Sequence, residues 1–388
     1  MTAPRVAIVA DLLEEQWPSM DLMAEMLMAE LAEAGSSITP VLVRPAFPPR
    51  LSTLVGRGNG HPVLTADRIA HRFWDYPRWL RRAPRADVYH IVDHSYAHLT
   101  RELPADRVVV TCHDVDAFRT LLAPERRESS LPRWLVTRVL DGLQRVAHVA
   151  CVSHATRDAL LEHELVRPDR VSVVPNGVHP SCTDRADPAA DAAAAALAGQ
   201  ATGPELLHVG STIARKRIDT LIEVLARVIE RRPGVRLLRV GGAFTEAQTA
   251  RVAELRLGDH IVVLPFVERP VVAALYRRAS LTLLPSEREG FGLPIVESLA
   301  CGTPMLASDL AVHREVGGDA ASYCAPGNVD AWSDTVLDLL HERDDHPDRW
   351  AARRSRGLVQ AARFSWTRCA GQMRAIYDRL AASAGVSS

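Results

Sequence analysis

Two glutamates, Glu289 and Glu297, flank a glycine-rich loop and are separated by seven residues. Gly290 and Gly292 lie in this loop, and Pro294 suits the first position of a helix, where its missing N–H costs nothing. A loop that leads into a helix N-terminus presents unpaired N–H groups and partial positive charge, so it favours phosphate. Carboxylates fit beside phosphate when they accept hydrogen bonds from hydroxyls, which a sugar and a ribose supply. The pattern indicates such a ligand; a capped helix with solvated acids is the alternative.

Lys216 is the only lysine in the sequence, although lysine and arginine together number 46. A lysine that survives where arginine occupies every other cationic position suggests a site that needs a compact, strongly hydrated ammonium. Chance survival is the alternative. Residues 206–222 predict a strand, a loop and a helix. This order places Arg215 and Lys216 at the carboxyl end of a parallel strand, where open α/β sheets bind ligands.

The segment 286–304 resembles the retaining glycosyltransferases of family 4, a large GT-B group that uses nucleotide sugars. Their motif has two glutamates around Gly-Phe-Gly-Leu-Pro, with the same spacing as Glu289 and Glu297. The resemblance implies that Glu289 contacts the donor sugar and that Glu297 contacts the ribose. It also implies that the donor phosphates meet the backbone at the helix start, namely Phe291, Gly292 and Leu293.

The same family carries an Arg-Lys or Glu-Lys pair that grips the donor pyrophosphate, which implies that role for Arg215 and Lys216, beside the strand-end Gly210. Many members have arginine directly after that glycine, where this chain has Ser211, so Arg215 is expected to carry that charge. Retention in the family is explained by front-face attack, in which the leaving phosphate accepts the acceptor's proton. Such a reaction needs positioning and charge stabilisation rather than a protein nucleophile, and we expect no metal ion or other cofactor.

His113 and Asp114 directly follow a predicted strand, at the edge of the sheet where ligands collect. Family members have a histidine here that touches the donor sugar, which implies that role for His113. The sequence Asp114-Val-Asp116 is alternatively an Asp-x-Asp metal site, but such sites belong to a different fold. A second candidate metal cluster has a spacing that matches no common ligand pattern: His90, Asp93, His94, His98 and His113.

Two further segments match or depart from the family. The turn 176–178 matches a Pro-Asn-Gly-Val turn, which implies a donor-side contact for Asn176; a plain Asn-Gly turn is the alternative. The loop after the first strand lacks the glycine pair that many members have there. We expect it to shape the acceptor pocket through Glu14, Glu15 and Trp17; an ordinary ordered surface loop is the alternative. Asp114, outside this loop, is a further candidate for the acceptor side.

Length and composition indicate a two-domain globular protein. The 388 residues exceed the roughly 250–300 that one core supports, and the fractions of hydrophobic (47%) and charged (24%) residues are ordinary. A net charge of −1 argues against nucleic-acid binding. Six scattered cysteines indicate reduced thiols and the cytoplasm rather than a zinc site. The amino terminus predicts a strand rather than a signal peptide, and no apolar run approaches the ~20 residues of a membrane-spanning helix.

Strand and helix patterns alternate, which predicts an α/β protein with parallel sheets. The strand candidates are residues 6–10, 38–43, 88–92, 108–111, 149–152, 171–174, 206–209, 236–240, 261–264, 281–284 and 305–307, and residues 20–34 predict a helix. The alanine-rich segment 187–200 has one large apolar residue, which is too few to predict a packed core. We therefore predict domains at 1–186 and 204–365, joined by a linker at 187–203. The resemblance implies a GT-B fold, in which two Rossmann-like domains face a central cleft and residues 366–388 cross back to the first domain.

The predicted function is transfer of a hexose from a UDP or GDP sugar to an unidentified acceptor, in polysaccharide, glycolipid or natural-product glycosylation. An isomerase or phosphorylase on the same fold, or a non-catalytic nucleotide-sugar binder, is the alternative. Residues 71–85 mix arginines with aromatics, which is consistent with peripheral contact with an anionic membrane. A solvated helix that packs its aromatics inward is the favoured interpretation of that segment.

Overall fold

The computed structural model describes residues 3–33, 37–48, 50, 62–122 and 132–385, with only the backbone at 62–64 and 384–385. The chain forms two compact units. One comprises Met1–Asn176 and Trp366–Ser388, and the other comprises Gly177–Ser365. The division therefore falls after Asn176, earlier than the predicted boundary after residue 186.

The first unit contains, among its described residues, a six-stranded sheet in the order β2-β1-β3-β4-β5-β6. Neighbouring strands are parallel throughout, with Val9 opposite both Val43 and Ile91. The strands are β1 (Arg5–Val9), β2 (Thr39–Val43), β3 (Val88–Ile91), β4 (Val108–Cys112), β5 (His148–Cys151) and β6 (Val171–Val173). Every residue of β3, β4 and β5 is buried, as expected for a parallel sheet that is covered on both faces.

Helices connect these strands, as the crossover of a parallel pair requires. They are α1 (Pro18–Leu31), α2 (Pro62–Ala70), α3 (Tyr76–Leu80), α4 (Arg119–Leu122), α5 (Arg133–Arg145) and α6 (His154–Glu162), and a π-helical turn, His71–Asp75, joins α2 to α3. The predicted helix over 20–34 is α1, which begins two residues earlier because Pro18 occupies its first turn. The apolar residues that the sequence placed on one side of it are all buried: Leu22, Met23, Met26, Leu27 and Leu31.

The second unit repeats the architecture, with a parallel sheet in the order β12-β11-β10-β7-β8-β9 among its described residues. Its strands are β7 (Glu205–Val209), β8 (Arg236–Val240), β9 (Ile261–Leu264), β10 (Leu281–Leu284), β11 (Met305–Ser308) and β12 (Ser322–Cys324). The structure confirms the prediction of parallel sheets. Among the strands of the described residues, the sequence missed only β12, a three-residue edge strand without an apolar run.

The helices of the second unit are α7 (Pro188–Ala198), α8 (Ile218–Arg231), α9 (Glu246–Glu254), α10 (Arg269–Arg278), α11 (Leu293–Ala300), α12 (Ala311–Gly317), α13 (Val329–Asp345) and α14 (Pro347–Ala361). Between them they cover the sheet and its apolar core. The last helix of the chain, α15 (Trp366–Gly385), belongs to the first unit.

The predicted linker, 187–203, contains α7, which is part of the second unit. The Asp187 side chain caps this helix by accepting a hydrogen bond from the Ala190 amide at 3.1 Å. Ala190, Ala194 and Ala198, each four residues apart, form a buried face that packs against α10. Arg277 of α10 also donates to Asp191 at 2.6 Å. Small side chains allow this close helix packing, so the absence of large apolar residues did not indicate a linker.

Candidate functional site

Glu289 lies between the two cationic side chains that the sequence placed near it. Lys216 Nζ donates a hydrogen bond to Glu289 Oε1, and Arg215 Nη1 donates to Glu289 Oε2 at 3.2 Å. The exposed fractions of the three side chains are 8% for Glu289, 12% for Lys216 and 21% for Arg215. The structure therefore brings together, within the second unit, three residues from segments more than 70 positions apart.

Burial raises the pKa of the Glu289 carboxyl, but the charges of Lys216 and Arg215 outweigh that effect and hold the pKa at about 2. Glu289 is consequently an anion at neutral pH. A carboxylate that two cations share keeps both of them near one point, and charge-assisted hydrogen bonds of this kind are stronger than neutral ones. The arrangement can present ammonium and guanidinium groups to an anionic ligand while its carboxylate accepts hydrogen bonds from hydroxyls.

The loop that carries Lys216 is fixed by its backbone. Gly210 directly follows β7, and its amide donates to Val240 O at 2.9 Å. A 3₁₀ turn, Ala214–Lys216, ends at Arg217, whose φ of 50° starts α8 from the left-handed region. The Glu287 amide donates to Arg215 O at 2.9 Å, which ties this loop to the loop that carries Glu289.

The glycine-rich loop turns into α11 at Gly292, which has a φ of 89°. A Cβ atom there would lie 3.2 Å from Ile295 Cδ1, so glycine suits the position both conformationally and sterically. Phe291 is buried and meets the Phe364 ring edge-on at 5.6 Å. Leu293 begins the helix, with Pro294 in its first turn. The structure thus confirms the predicted sequence of strand, loop and helix.

Glu297 lies in the second turn of α11. Its Oε2 accepts a hydrogen bond from the Tyr276 hydroxyl at 3.0 Å, and Tyr276 is itself fully buried. Burial raises the pKa of the Glu297 carboxyl, against the opposing effects of the Tyr276 hydroxyl and of Arg269. Glu289 and Glu297 therefore have opposite pKa shifts, although both belong to the same loop and helix.

Sequence reasoning missed two buried histidines near this site. His208 lies in β7, and neither of its ring nitrogens has a hydrogen-bond partner among the described residues. His313 Nδ1 lies 2.7 Å from Ser308 O, so Nδ1 carries the proton, while Nε2 has no partner in the described part of the chain. Burial lowers the pKa of both imidazoles, to about 3 for His208. For His208, the sequence did carry a signal, because a histidine interrupts the apolar run Leu206–Val209.

In the first unit, His113 and Asp114 lie together just beyond β4. His113 Nε2 donates to Val92 O at 2.7 Å, the His113 amide donates to His94 Nδ1 at 3.3 Å, and burial lowers the pKa of the His113 imidazole. Asp114 Oδ1 accepts from the Asp116 amide at 2.9 Å, which forms a local turn. Within the described ranges, no group of three or more His, Cys, Asp or Glu side chains is arranged to hold a metal ion.

Other residues of the second candidate metal cluster form hydrogen bonds with protein groups. His90 bonds both Tyr377 Oη and Thr111 Oγ1 at 2.7 Å, and His98 Nε2 lies 3.0 Å from Arg72 O. Asp93 caps the 3₁₀ segment that follows β3 by accepting from the Ser95 amide at 2.8 Å.

The remaining predicted residues also belong to the first unit. Glu14 Oε1 lies 2.7 Å from His71 Nδ1, and the Arg72 guanidinium lies 5.9 Å from the Trp17 ring centroid. These contacts tie the loop after β1 to the π-helical turn, so it is an ordered part of the first unit. Asn176 is buried, and its Oδ1 has no hydrogen-bond partner among the described residues.

Comparisons with known proteins give matches in both halves of the chain. Residues 192–356 match the family described as Glycosyl transferases group 1, and residues 22–181 match Glycosyltransferase Family 4. Among solved structures, the chain is similar to sucrose-phosphate synthase from Thermosynechococcus elongatus, with a TM-score of 0.71, 19% identity and coverage of 98% and 100% of the two chains. It is also similar to Anabaena HepE in complex with UDP and glucose, with a TM-score of 0.70, 17% identity and coverage of 97% and 99%.

Curated relatives include D-inositol 3-phosphate glycosyltransferases. The protein from Mycolicibacterium smegmatis is 32% identical over 310 residues, which cover 75% of this chain and 68% of the relative. The protein from Segniliparus rotundus is 32% identical over 282 residues, which cover 70% of this chain and 60% of the relative. An O-antigen chain mannosyltransferase B from Escherichia coli is 27% identical, with coverage of 80% and 78%. The chain thus spans about 60% of the length of the Segniliparus relative.

Proposed function

Because the chain belongs to the group 1 glycosyltransferases of family 4, we propose that it transfers a sugar from a nucleoside-diphosphate sugar to an acceptor hydroxyl with retention of configuration. The observation that carries this proposal is the contact of Glu289 with Lys216 and Arg215 beside the start of α11. UDP is the first nucleotide to consider, since the similar HepE structure holds UDP and glucose.

The chemistry needs no protein nucleophile. The acceptor oxygen bonds to the anomeric carbon as the bond to the diphosphate oxygen breaks, and the departing diphosphate takes the acceptor's proton. Lys216, Arg215 and the N-terminus of α11 stabilise the charge that grows on the diphosphate. Glu289, ionised at neutral pH, positions the two cations and accepts hydrogen bonds from sugar hydroxyls. These residues supply positive charge without a metal ion, so activity is proposed to be metal-independent.

Glu297 is the proposed ribose contact. The Tyr276 hydroxyl donates a hydrogen bond to Glu297 Oε2. The orientation of the carboxyl group is therefore fixed before the ribose hydroxyls donate hydrogen bonds to it. Roles for His113 and Asn176 on the donor side, and for Glu14, Trp17 and Asp114 on the acceptor side, stay predictions.

The function is tested with a panel of UDP, GDP and ADP sugars, first by thermal shift and then by mass spectrometry of products. D-inositol 3-phosphate is the first acceptor to try, because relatives are named for it. We expect a product that carries one added sugar, with its anomeric configuration retained by NMR, and equal turnover with and without EDTA. Conversion of the donor without any acceptor would indicate an isomerase. Release of a sugar phosphate that depends on added phosphate would indicate a phosphorylase, and binding without turnover a silent binder.

We also propose a cytoplasmic location with peripheral contact with an anionic lipid surface. No helix among the described residues is long and apolar enough to cross a membrane, and all six cysteines are unpaired and buried. In the segment 71–85, Phe73, Tyr76 and Leu80 are buried, in agreement with the interpretation that its aromatic residues pack inward. Trp74, in the arginine-rich segment 71–85, is 38% exposed and meets Trp134 of α5, which is 54% exposed, edge-on at 6.1 Å.

Aromatic rings with nearby arginines suit an interface of anionic headgroups. We expect the protein to float with phosphatidylglycerol vesicles and not with phosphatidylcholine vesicles. The double substitution of Trp74→Ala and Trp134→Ala should abolish flotation, whereas Phe266→Ala, at a 70% exposed phenylalanine of the second unit, should not. Equal flotation of all variants would contradict the proposal.

A further inference from the structure

Arg239, in β8, is a buried cation without an acidic partner. Its side chain is fully buried, and no carboxylate in the described part of the chain pairs with its guanidinium. It donates instead to three backbone carbonyls, those of Gly242, of Gly210 at 3.1 Å and of Gly241 at 3.3 Å. Burial lowers its pKa only to about 10, so Arg239 is charged at neutral pH. Burying an ion without a counter-ion is costly, so its place in the fold calls for a compensating anion.

Arg239 lies beside a buried neutral histidine and close to Lys216. In the ladder between β7 and β8, Arg239 is in register with His208, which is fully buried. Burial, Arg239 and Lys216 together lower the pKa of His208 to about 3, so its ring stays neutral. A Cβ atom on Gly210 would lie 3.2 Å from His208 Cε1 and 3.8 Å from Lys216 Cδ, so these groups are packed around one glycine.

Arg239 also shapes the loop that carries Lys216. Arg239 donates a hydrogen bond to Gly210 O, and Gly210 is the first residue of that loop, between β7 and the turn Ala214–Lys216. Gly241, with a φ of 127°, approaches Gly210 so closely that a Cβ atom on Gly241 would lie 1.9 Å from Gly210 O. The ends of β7 and β8 are thus packed backbone to backbone, with the guanidinium bonded to both.

We propose that Arg239 is a positioning residue for the donor diphosphate. It fixes Gly210, and through it the loop of Arg215 and Lys216, and it supplies buried positive charge that the diphosphate of a bound nucleotide compensates. Lys216 and Arg215 already share the carboxylate of Glu289, whereas Arg239 shares none, so its charge adds to the attraction of a bound anion. The inference rests on the proposed function and adds a residue that does not touch the ligand.

The test compares Arg239→Gln with a matched control, Arg236→Gln. Both residues lie on β8, but Arg236 pairs with Glu205 at the opposite end of the strand. Calorimetry with UDP, GDP and ADP first identifies the diphosphate that the wild type binds. For that diphosphate we expect Arg239→Gln to raise Kd by about tenfold or more at low and at high salt alike, because salt screens a buried charge poorly. The Kd of the matching uncharged nucleoside should change less than about twofold, and Arg236→Gln should alter neither.

Arg239→Lys separates charge from structure, since it keeps the charge and loses most of the donors. It should restore most of the affinity for the diphosphate. Unchanged affinity in a folded Arg239→Gln variant, or equal losses for the nucleoside and the diphosphate, would overturn the inference. If Arg239→Gln does not fold, Arg239→Lys decides alone: a folded variant within about threefold of the wild-type Kd supports the role of the charge, and a loss of about tenfold or more refutes it. A wild type that binds none of the three diphosphates would overturn the proposed function itself, and the inference with it.

Discussion

The atoms of Glu289 that hold Lys216 and Arg215 are the same atoms to which we assign a chemical role. Its carboxylate is almost wholly removed from solvent, yet it is ionised because Lys216 and Arg215 bond to its two oxygens. Removing one partner of such a pair leaves an uncompensated charge, which costs more than the pair contributes. A bound diphosphate would draw on the same two cations, so their geometry before binding is set by Glu289.

Lys216→Arg should give a folded protein with a near-normal melting temperature whose turnover falls at least about tenfold. A guanidinium is larger than an ammonium, and misplacement of charge by about 1 Å is enough to slow a reaction by on the order of 100-fold. The control is the reverse exchange at the next residue, Arg217→Lys, because Arg217 bonds the exposed Asp219. It should keep both activity and stability. Normal turnover in Lys216→Arg would show that the single lysine is an accident of composition.

Glu289→Gln should change how stability depends on pH. The folded pKa of Glu289, about 2, lies below its ordinary value of 4.5. Its ion pairs therefore add stability above pH 4.5, and this contribution is lost as the pH falls towards 2. The difference in free energy of unfolding between wild type and Glu289→Gln should be smaller at pH 3.5 than at pH 6, by on the order of 1 kcal/mol in urea titrations. A difference that does not vary with pH would mean that the pKa is not lowered.

At the scale of the element, the junction between the glycine-rich loop and α11 determines where the helix begins. Gly292 takes up a left-handed conformation, and Pro294 fixes the first turn that follows. The carboxyl ends of β7 and β10 lead into the two loops that meet through the Glu287 amide and Arg215 O. The site is thus built on loops that two adjacent strands of the sheet position.

Gly292→Ala should destabilise the protein by about 1–2 kcal/mol, because an L-residue is strained in the left-handed region, and it should weaken binding of nucleoside diphosphate. Gly371→Ala is the control, since Gly371 lies inside α15, where an added Cβ meets nothing within 4 Å. That exchange should raise stability by up to about 1 kcal/mol. Thermal unfolding and calorimetry measure both effects, and equal responses of the two variants would refute a special role for the turn.

At the scale of the whole molecule, the chain is not divided into units in simple sequence order, because α15 belongs with the first 176 residues. Met373 and Tyr377 of this helix are fully buried. Tyr377 Oη bonds His90 Nδ1, while His90 Nε2 bonds Thr111 Oγ1, so both nitrogens of a buried imidazole have partners. The carboxyl-terminal helix therefore supplies the second hydrogen-bond partner of a buried histidine in the first sheet.

Tyr377→Phe should lower the free energy of unfolding by about 1–3 kcal/mol, because it leaves a buried nitrogen of His90 without a partner. Ser383→Ala, on an exposed part of the same helix, should stay within about 0.5 kcal/mol of the wild type. Urea unfolding of the two variants measures the difference. A stable Tyr377→Phe would imply that water replaces the hydroxyl.

The sequence by itself determined the features that depend on neighbours along the chain. The buried strands were visible as apolar runs, and the spacing of Glu289 and Glu297 around a glycine loop was the basis for predicting a ligand with phosphates and hydroxyls. The single lysine marked Lys216 as a residue to test. Each of these signals is local, because a strand, a turn or a helix start is specified by consecutive residues.

Only the tertiary structure decided which distant residues meet. The alanines of α7 form a packing face because α10 lies against them, and the register of β7 with β8 sets His208 beside Arg239. Asp114, a candidate for metal or acceptor, accepts a backbone hydrogen bond in its own turn. Burial, strand register and hydrogen-bond partners are set when separate segments pack together. For that reason the amino-acid sequence alone does not show the environment of Arg239.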